Sequence, residues 1–473
     1  MTRTFFPPGP RSRLPGDQYF AFRRDPLRLL MRVARDYGDL AHFQIGSQRV
    51  FLLNHPDLIR DVLVTHHENF TKGPSLQRAK KSLLGEGLLT SEGERHQRQR
   101  RLIQPAFHRA QMARYGAVML EYAGRMSERW EDGQTLDIAE EMRRLTLAIV
   151  AKTLFGADVE AGAAGEVVRG LARAMRRLEL SARPPTPAVV IGMLKKKLAG
   201  RRRSPGVREL LDATIQRIIA ERRQSDRDHG DLLSMLLHAQ DEESGDRMTD
   251  QQLRDEVVTI FIAGHETTAN ALAWAWYLLS QHPEVEAKLH RELDEVLAGK
   301  PDAVIDPAQL PYANMVFTET LRLYSPSWIL GRIAINDYRI NDYVVPAGAL
   351  ILMSQYVMHR DARYYPDPFR FDPERWRPEA REARPLFSYF PFGGGTRRCI
   401  GDGFAWVEWV LLMATLAKEW RMRLVSSSPI EPQPLITLRP GREVMVRLER
   451  RKTKVGPAAS PSDVGQSKSG PAN

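Results

Sequence analysis

The sequence predicts a mainly α-helical protein with a smaller β-rich region, that is, an α+β fold. Residues 249–281 form the longest uninterrupted helical pattern, and residues 115–223 are mostly helical. Short strand-like runs separated by turn residues fill 328–354. The chain has 473 residues, of which 42% are apolar and 27% charged. This is the composition of a globular protein large enough to bury a substantial core.

The first quarter of the chain alternates short helices with one hairpin. Pro56 stands where a proline favours the first position of a helix, and two apolar runs flank a turn at Gly46. The predicted elements are an extended entry at 7–10, a helix at 26–37, a hairpin of 40–45 and 49–53, a helix from Pro56, a loop-rich region at 71–90 and a basic helix at 94–107.

The helix over 249–281 has clear local signals at both ends. Thr249 and Gln252 form a capping box, and Pro283 stops the run after His282. Between Val257 and Leu279 the helix is apolar almost all round, which indicates that it is buried. The strands predicted after it are 328–335, 338–340, 343–345 and 349–354.

Two segments are predicted to lie outside the core. A Pro-rich break at 183–187 precedes an apolar run at 188–194 and basic clusters at 195–197 and 201–203. An access lid is the favoured interpretation of 188–203, and contact with a membrane surface is the alternative. Residues 452–473 are rich in Gly, Pro, Ser and Ala and predict a disordered tail after a single domain at 1–451.

Composition bounds the location and the partners. No run of about 18 apolar residues occurs, which argues against a membrane-spanning helix. The N-terminus lacks the apolar segment of a secretory signal, and one cysteine fits a reducing compartment, so we expect a cytoplasmic monomer. The net charge of +11 comes without any zinc-finger, leucine-zipper or RNA-binding motif. It therefore favours an acidic protein partner over nucleic acid.

The single cysteine lies between a glycine-rich turn and an apolar helical run. A sulfur at a helix start faces unpaired N–H groups and the positive end of the helix dipole, which predicts a thiolate able to bind metal. Three glycines at 393–395 let the backbone approach a large flat group, and Arg397 is placed to pair with an anion on it. A buried free cysteine beside a turn is the alternative.

This stretch resembles the haem-binding signature of the cytochrome P-450 family, Phe-x-x-Gly-x-Arg-x-Cys-x-Gly. The matching residues are Phe392, Gly395, Arg397, Cys399 and Gly401, with Ala405 as the family's small residue on the next helix. The resemblance implies the cytochrome P-450 fold, in which a large helical domain and a smaller β-rich region enclose one haem b. Cys399 would be the axial ligand of the iron.

A second motif interrupts the buried helix at Ala263-Gly264-His265-Glu266-Thr267-Thr268. A buried carboxylate and a mid-helix glycine are both unfavourable there, which points to function. A zinc site of the H-E-x-x-H type is excluded because residue 269 is alanine. The hexad resembles the family's oxygen-activating motif. That resemblance implies a notch for dioxygen at Gly264, a hydrogen bond from Thr267 to bound oxygen and a proton relay through Glu266.

Further residues follow from the same resemblance. Glu319 and Arg322 stand at i, i+3, which alone indicates a surface ion pair worth under about 1 kcal/mol; with Arg375 they match the family's structural Glu-Arg-Arg cluster. His96 and Arg100 lie at i, i+4 on what otherwise indicates a solvated basic face. With Arg332 and Ala263 they match cofactor-contacting positions of the family, and His96, Arg100 and Arg332 would contact the haem propionates.

The implied activity is that of a haem-thiolate monooxygenase with O2 as co-substrate. The sequence holds no flavin or iron–sulfur module, so NAD(P)H would act indirectly, through a ferredoxin- or flavodoxin-type donor and its reductase. The candidates for a basic docking face are Arg98, Arg101 and Arg398. The rivals are a peroxide-using or electron-independent haem-thiolate enzyme and a non-catalytic haem sensor; the intact Glu266-Thr267 pair argues against both.

The substrate is predicted only by class. The apolar residues at pocket-lining positions of the family are Phe261, Ala263, Trp328, Ile329, Leu330 and Leu435. Ordinary core packing is the alternative for each. Together they predict a lipophilic substrate such as a fatty acid, terpenoid or steroid, and the style of the two motifs resembles the branch that includes fatty-acid hydroxylases.

Overall fold

The structure, a computed structural model, describes residues 6–11, 14, 16–156, 170, 207–225, 230–296 and 306–452. Helices dominate it, as predicted. They are α1 (Asp17–Arg24), α2 (Pro26–Tyr37), α3 (Pro56–Arg60), α4 (Pro74–Ala79), α5 (Gly93–Ile103), α6 (Arg109–Glu128), α7 (Ile138–Phe155), α8 (Val207–Ser225), α9 (Leu232–His238), α10 (Asp250–Gln281), α11 (Pro283–Val296), α12 (Pro311–Leu323), α13 (Gln355–Met358), α14 (Pro378–Glu382) and α15 (Asp402–Glu419).

The strands are short and form a smaller β-region. They are β1 (Leu40–Ile45), β2 (Gln48–Leu53), β3 (Phe70–Lys72), β4 (Thr135–Asp137), β5 (Leu330–Ala334), β6 (Tyr338–Ile340), β7 (Tyr343–Val345), β8 (Leu350–Met353), β9 (Trp420–Leu424), β10 (Pro432–Pro434), β11 (Leu438–Pro440) and β12 (Met445–Arg450). The mainly helical α+β class is therefore confirmed.

The long helix α10 is the centre of the fold. Its capping box is present, because the Thr249 side chain accepts from the Gln252 N–H while the Gln252 side chain accepts from the Thr249 N–H. The helix ends at Gln281, as predicted. It packs against α7, α12 and α15, and its second half lies in the largest apolar cluster with α6 and α12. Trp274 and Trp276 are almost fully buried in that cluster.

The largest sheet holds the site's β-strands. Its order is β1-β2-β8-β5-β3, with β2 and β8 parallel and the other pairs antiparallel. The predicted hairpin of β1 and β2 is confirmed. At the edge, Lys72 of β3 lies directly opposite Arg332 of β5. The other sheets are β4-β12-β9 and the pairs β6-β7 and β10-β11.

One predicted region is corrected by the structure, and the predicted access lid and nearly all of the predicted tail lie outside the described residues. The region 71–90, predicted to be loop-rich, contains α4 and a following π-helical turn, Lys80–Leu84, because Pro74 starts a helix that continues to Gly85. The Pro-rich break, the apolar and basic segment 188–203 and all of the predicted tail except residue 452 lie outside the described residues. In the part of the chain that is described, no helix has the length and apolar character needed to cross a membrane.

Candidate functional site

The loop before the cysteine is shaped by its glycines. Gly393 and Gly395 have φ values of 72° and 66°, in the left-handed region that favours glycine. A Cβ at Gly395 would collide with the Leu63 carbonyl. The Cys399 N–H donates to the Phe392 carbonyl at 3.0 Å and closes the turn. The backbone conformation of this turn and its contact with Leu63 therefore require glycines. From the sequence alone, the same glycines are explained by the approach of a flat group.

The Cys399 thiol is accessible to solvent, yet it lies deep in the protein. Burial raises the pKa of Cys399 to about 11, although the Gly401 N–H and the guanidinium groups of Arg100 and Arg398 lower it. The expectation that the helix start favours the thiolate is incomplete, because desolvation outweighs the N–H groups when no metal is bound.

The polar residues of the α10 motif point to different elements. His265 contacts Thr146 on α7, with 3.1 Å between Nδ1 and Oγ1, and burial lowers the pKa of His265 to about 4. The buried Glu266 accepts a hydrogen bond from Thr437, between β10 and β11, and Asn270 donates to the same hydroxyl at 3.0 Å. Each partner fixes the rotation of α10 about its axis.

One face of α10 is accessible between Ala263 and Thr267. Ala263 is exposed and Gly264 and Thr267 are half-buried, although the helix is buried on both sides of them. The Thr267 hydroxyl donates to the Ala263 carbonyl at 2.6 Å. A Cβ on Gly264 would lie 2.9 Å from Val150 on α7, so this glycine also permits close helix packing. The opening of α10 therefore lies at the predicted oxygen-activating motif.

The opening and the cysteine belong to one region of the molecule. Ile400, next to Cys399, packs against the same apolar cluster as Ile260 and Ile262, which precede Ala263. Helices α10 and α15, which carry or follow the two motifs, are packed together. The structure thus brings the two main sequence motifs to neighbouring positions.

Sequence reasoning missed a buried carboxylate close to the motif. Glu408 on α15 is fully buried, and burial raises its pKa to about 8, while a hydrogen bond from Thr268 lowers it. A signal was present, because a glutamate interrupts the apolar run 404–416. Its partner, Thr268, belongs to the α10 motif.

Several cations converge at the edge of the large sheet. Arg332 is only 8% exposed, and burial lowers its pKa to about 10. Arg397 forms an ion pair with Glu92, and its Nη1 atom makes no hydrogen bond among the described residues. Lys72 is 4% exposed, and burial lowers its pKa to about 7. These three basic side chains face the carboxylate of Glu92, and Lys72 also faces that of Glu256, whose pKa burial raises to about 8, so basic groups outnumber the carboxylates.

His96 and Arg100 of α5 join this region. His96 is buried, which corrects the residue-level expectation that this face of α5 is solvated. Its Nδ1 lies 3.0 Å from the Leu88 carbonyl, and burial lowers its pKa to about 4. Arg100 donates to the Arg398 carbonyl at 2.7 Å, which ties α5 to the cysteine loop. A haem carries two carboxylates, so the excess of cations and the accessible thiol fit this cofactor.

The Glu319-Arg322 pair is buried rather than on the surface, which corrects the residue-level expectation. Both side chains are 0% exposed, and Arg322 donates Nε and Nη2 to the Glu319 carboxylate, each at 2.8 Å. Arg375 lies 3.5 Å from the same carboxylate, which also accepts from the Trp376 indole. The three predicted residues are brought together, and their hydrogen bonds to the His359 and Pro368 carbonyls and from the Asp372 N–H hold chain segments in place.

The six predicted pocket residues do not form one cluster. Phe261 is fully buried among α5 and α7 side chains, Trp328 packs with α2 and β2, and Ile329 packs beside Trp328. Leu330 packs partly against a third cluster. Leu435 accepts a hydrogen bond from the Trp328 indole at 3.1 Å. Of the six, Ala263 is the exposed residue within α10.

All three predicted docking arginines form ion pairs within the chain. Arg98 and Arg101 both bind the buried Asp241, at 3.2 and 3.3 Å. Arg398 pairs with Asp402 at 2.8 Å, with 59% of its side chain exposed, against 24% for Arg98. The positive charge is therefore partly offset at each position, and Arg398 is the most accessible of the three.

Comparison with known proteins identifies the family of this chain. A family model described as Cytochrome P450 matches residues 7–446. The chain is 40% identical over 420 residues to cyclooctatin synthase of Streptomyces melanosporofaciens, covering 88% of this chain and 90% of that protein. It is 36% identical over 435 residues to pentalenene oxygenase of Streptomyces avermitilis, covering 90% and 94%.

Solved structures give the same result for the fold. The crystal structure of the cytochrome P450DA heme domain superimposes with a TM-score of 0.82 at 26% identity, covering 95% of this chain and 98% of that one. The cytochrome P450 CYP102L1 has a TM-score of 0.79 at 26% identity. With the cysteine loop, the open motif on α10 and the match over 7–446 in agreement, this chain belongs to the cytochrome P450 family, and it is a monooxygenase of that family.

Proposed function

We propose that this protein inserts one oxygen atom of O2 into a C–H or C=C bond of a terpenoid, with electrons from separate protein donors. The family uses haem iron and O2. When bound to Cys399, the iron supplies oxygen activation, and donation from the thiolate favours O–O cleavage. The chain itself supplies the ligand, the carboxylate-binding cations and the groups that hold protons.

The observation that carries the proposal is the opening in α10. Thr267 presents a hydroxyl at this opening, and its bond to the Ala263 carbonyl fixes the oxygen atom's position. Glu266, on the same turn, is buried and held by Thr437. A hydroxyl at an open face with a carboxylate beside it is suited to holding and passing protons, which a haem sensor does not need. The pair also speaks against the peroxide-using alternative.

The relatives favour the terpenoid among the three lipophilic classes. Cyclooctatin synthase, cyclooctat-9-en-7-ol 5-monooxygenase and pentalenene oxygenase are named after terpenoid compounds, and they are 36–40% identical to this chain. The exposed side chain at the opening, Ala263, is small and apolar. An apolar polycyclic hydrocarbon or alcohol suits such a surface, because the substrate carries no charge that would need an oppositely charged side chain.

Electrons would come from a ferredoxin- or flavodoxin-type protein. The only cysteine in the sequence is Cys399, so a cysteine-ligated iron–sulfur cluster cannot form. Arg398 directly precedes Cys399 and is largely exposed. An acidic donor that binds Arg398 would dock one residue away from Cys399, the proposed ligand of the iron.

The test has two stages. The dithionite-reduced protein with carbon monoxide should show the far-red Soret band of thiolate-ligated haem, and Cys399→Ser should lose it. Terpenoid hydrocarbons and alcohols should then shift the haem spectrum and, with ¹⁸O2 and redox partners, gain one labelled oxygen. Absence of the band would overturn the family chemistry. Oxygenation of fatty acids or steroids but not terpenoids would overturn the substrate class alone.

A pair of threonine variants tests the proton-holding group. Thr267→Ala should lower product formed per NAD(P)H consumed by about 10-fold or more, the scale of lost general acid–base catalysis. The matched control is Thr153→Ala on α7, whose hydroxyl also donates to a carbonyl four residues earlier, at 2.8 Å. Equal coupling in both variants would remove Thr267 from the mechanism.

A further inference from the structure

The backbone of Leu88 connects α10 to the cation cluster, that is, to Lys72, Arg332 and Arg397. The Leu88 N–H donates to Glu256 Oε2 on α10 at 2.9 Å. The Leu88 carbonyl accepts from Lys72 Nζ at 2.9 Å and lies 3.0 Å from His96 Nδ1. The contact between Leu88 and Glu256 could not be read from a sequence motif, because the two residues lie 168 positions apart.

Lys72 is in a position that packing alone does not explain. It stands directly opposite Arg332 in the pairing of β3 with β5, and both side chains are more than nine-tenths buried. Like charges on opposed positions of a sheet are destabilising. Lys72 Nζ offsets part of this by a second bond, to the Ser91 carbonyl at 2.8 Å.

The segment 85–91 is clamped onto α10 at more than one point. The Glu86 N–H donates to Asp255 Oδ2 at 2.7 Å, and Gln99 of α5 donates to the Glu86 carbonyl at 2.7 Å. A Cβ on Gly87 would lie 2.6 Å from the Asp255 carbonyl, so the backbone passes directly over the helix. The segment is therefore positioned by two neighbouring carboxylates of α10 and by α5.

We propose that Glu256 and Lys72 are positioning residues that act through the backbone of Leu88 to hold His96 and the cation cluster in place for the cofactor's carboxylates. Glu256 is fully buried and ten residues before Glu266, so one helix holds both this contact and the oxygen-activating motif. Burial raises the pKa of Glu256 to about 8, and its own interaction with Lys72 lowers it. The inference rests on the proposed haem chemistry.

The decisive measurement is haem retention, followed as transfer of haem from the holoenzyme to apomyoglobin. Glu256→Leu removes the acceptor of the Leu88 N–H and should speed haem loss at least 10-fold. Glu256→Gln keeps an oxygen that can accept from Leu88 and should lie between that variant and the wild type. Lys72→Met should also speed haem loss, and amide hydrogen exchange of 85–91 should rise in Glu256→Leu and Lys72→Met.

A matched control separates positioning from general stability. Glu286 on α11 is buried and paired with Arg423 at 2.9 Å, away from the cation cluster. Glu286→Gln should lower the urea midpoint without changing haem loss. Unchanged haem loss in Glu256→Leu, or equal loss in Glu286→Gln, would overturn the inference. A wild-type protein that binds no thiolate-ligated haem would instead overturn the proposed function.

Discussion

Replacing Glu319 by glutamine should destabilise the protein strongly while leaving its chemistry intact. The carboxylate accepts two bonds from Arg322 at 2.8 Å, one from the Trp376 indole at 2.9 Å and one from the Asp372 N–H at 3.0 Å. Glutamine replaces one acceptor oxygen by an NH2 group that faces donors. It also leaves the fully buried Arg322 without its counter-charge.

The expected cost is about 3–5 kcal/mol, the range for breaking a buried ion pair by changing one partner. Arg322 keeps its bonds to the His359 and Pro368 carbonyls, at 2.8 and 2.7 Å, so the loss is confined to the carboxylate side. The assay is urea unfolding of the haem-loaded protein, followed by tryptophan fluorescence and by the haem band.

The control is Glu121→Gln, which breaks the exposed i, i+4 pair with Arg125 on α6. Exposed pairs contribute about 0–1 kcal/mol, so this variant should unfold close to the wild-type midpoint. A loss below about 1 kcal/mol in Glu319→Gln, or equal losses in the two variants, would refute the argument that burial makes the difference. The carbon monoxide band of the folded Glu319→Gln protein should match the wild type.

Three further predictions rest on single contacts. Burial raises the pKa of Glu408 from 4.5 to about 8 in the folded protein. Between these two pH values the folded state keeps the Glu408 proton and the unfolded state has lost it. The free energy of unfolding therefore falls as the pH rises from 4.5 to 8. Urea titrations of wild type against Glu408→Gln should therefore diverge over this window by up to about 1.4 kcal/mol per pH unit, and parallel profiles would contradict it. Arg398→Gln should slow reduction by an acidic donor at low salt more than Arg98→Gln, because the Arg398 side chain is 59% exposed and that of Arg98 only 24%; stopped-flow rates that fall equally would count against this. Thr146→Val should cost about 1–3 kcal/mol in unfolding free energy, because the buried His265 loses its hydroxyl partner, and a change below 0.5 kcal/mol would be inconsistent with that bond.

Elements with local signals were predictable from the sequence. The start of α10 at Thr249 and its end before Pro283 depend on side chains within a few residues of each terminus. The hairpin of β1 and β2 depends on two runs around one turn. The helix at Pro74 was missed, because the glycines at 73, 85 and 87 suggested a loop and the packing that supports α4 is not encoded locally.

The site was predictable to the extent that its motifs are contiguous. The cysteine loop and the α10 hexad each occupy about ten residues or fewer, so their spacing is visible. Thr437 was not predictable, because it meets Glu266 only through a fold that spans 171 residues. Lys72 was hidden for the same reason, since its partner Arg332 lies on another strand. The raised pKa of Cys399 depends on burial, which spacing does not report.

Buried carboxylates in this protein differ by what surrounds them, and that difference separates structure from chemistry. Glu319 is enclosed by donors on both oxygens, so its contacts stabilise the fold and hold the carboxylate in place. Glu266 accepts from the hydroxyl of Thr437 and lies next to Thr267, whose side chain is on the open face of α10. A proton relay needs a carboxylate beside a group that can hand protons to the open face. By this criterion Glu266 is suited to proton delivery and Glu319 is not, although both are buried glutamates on neighbouring helices.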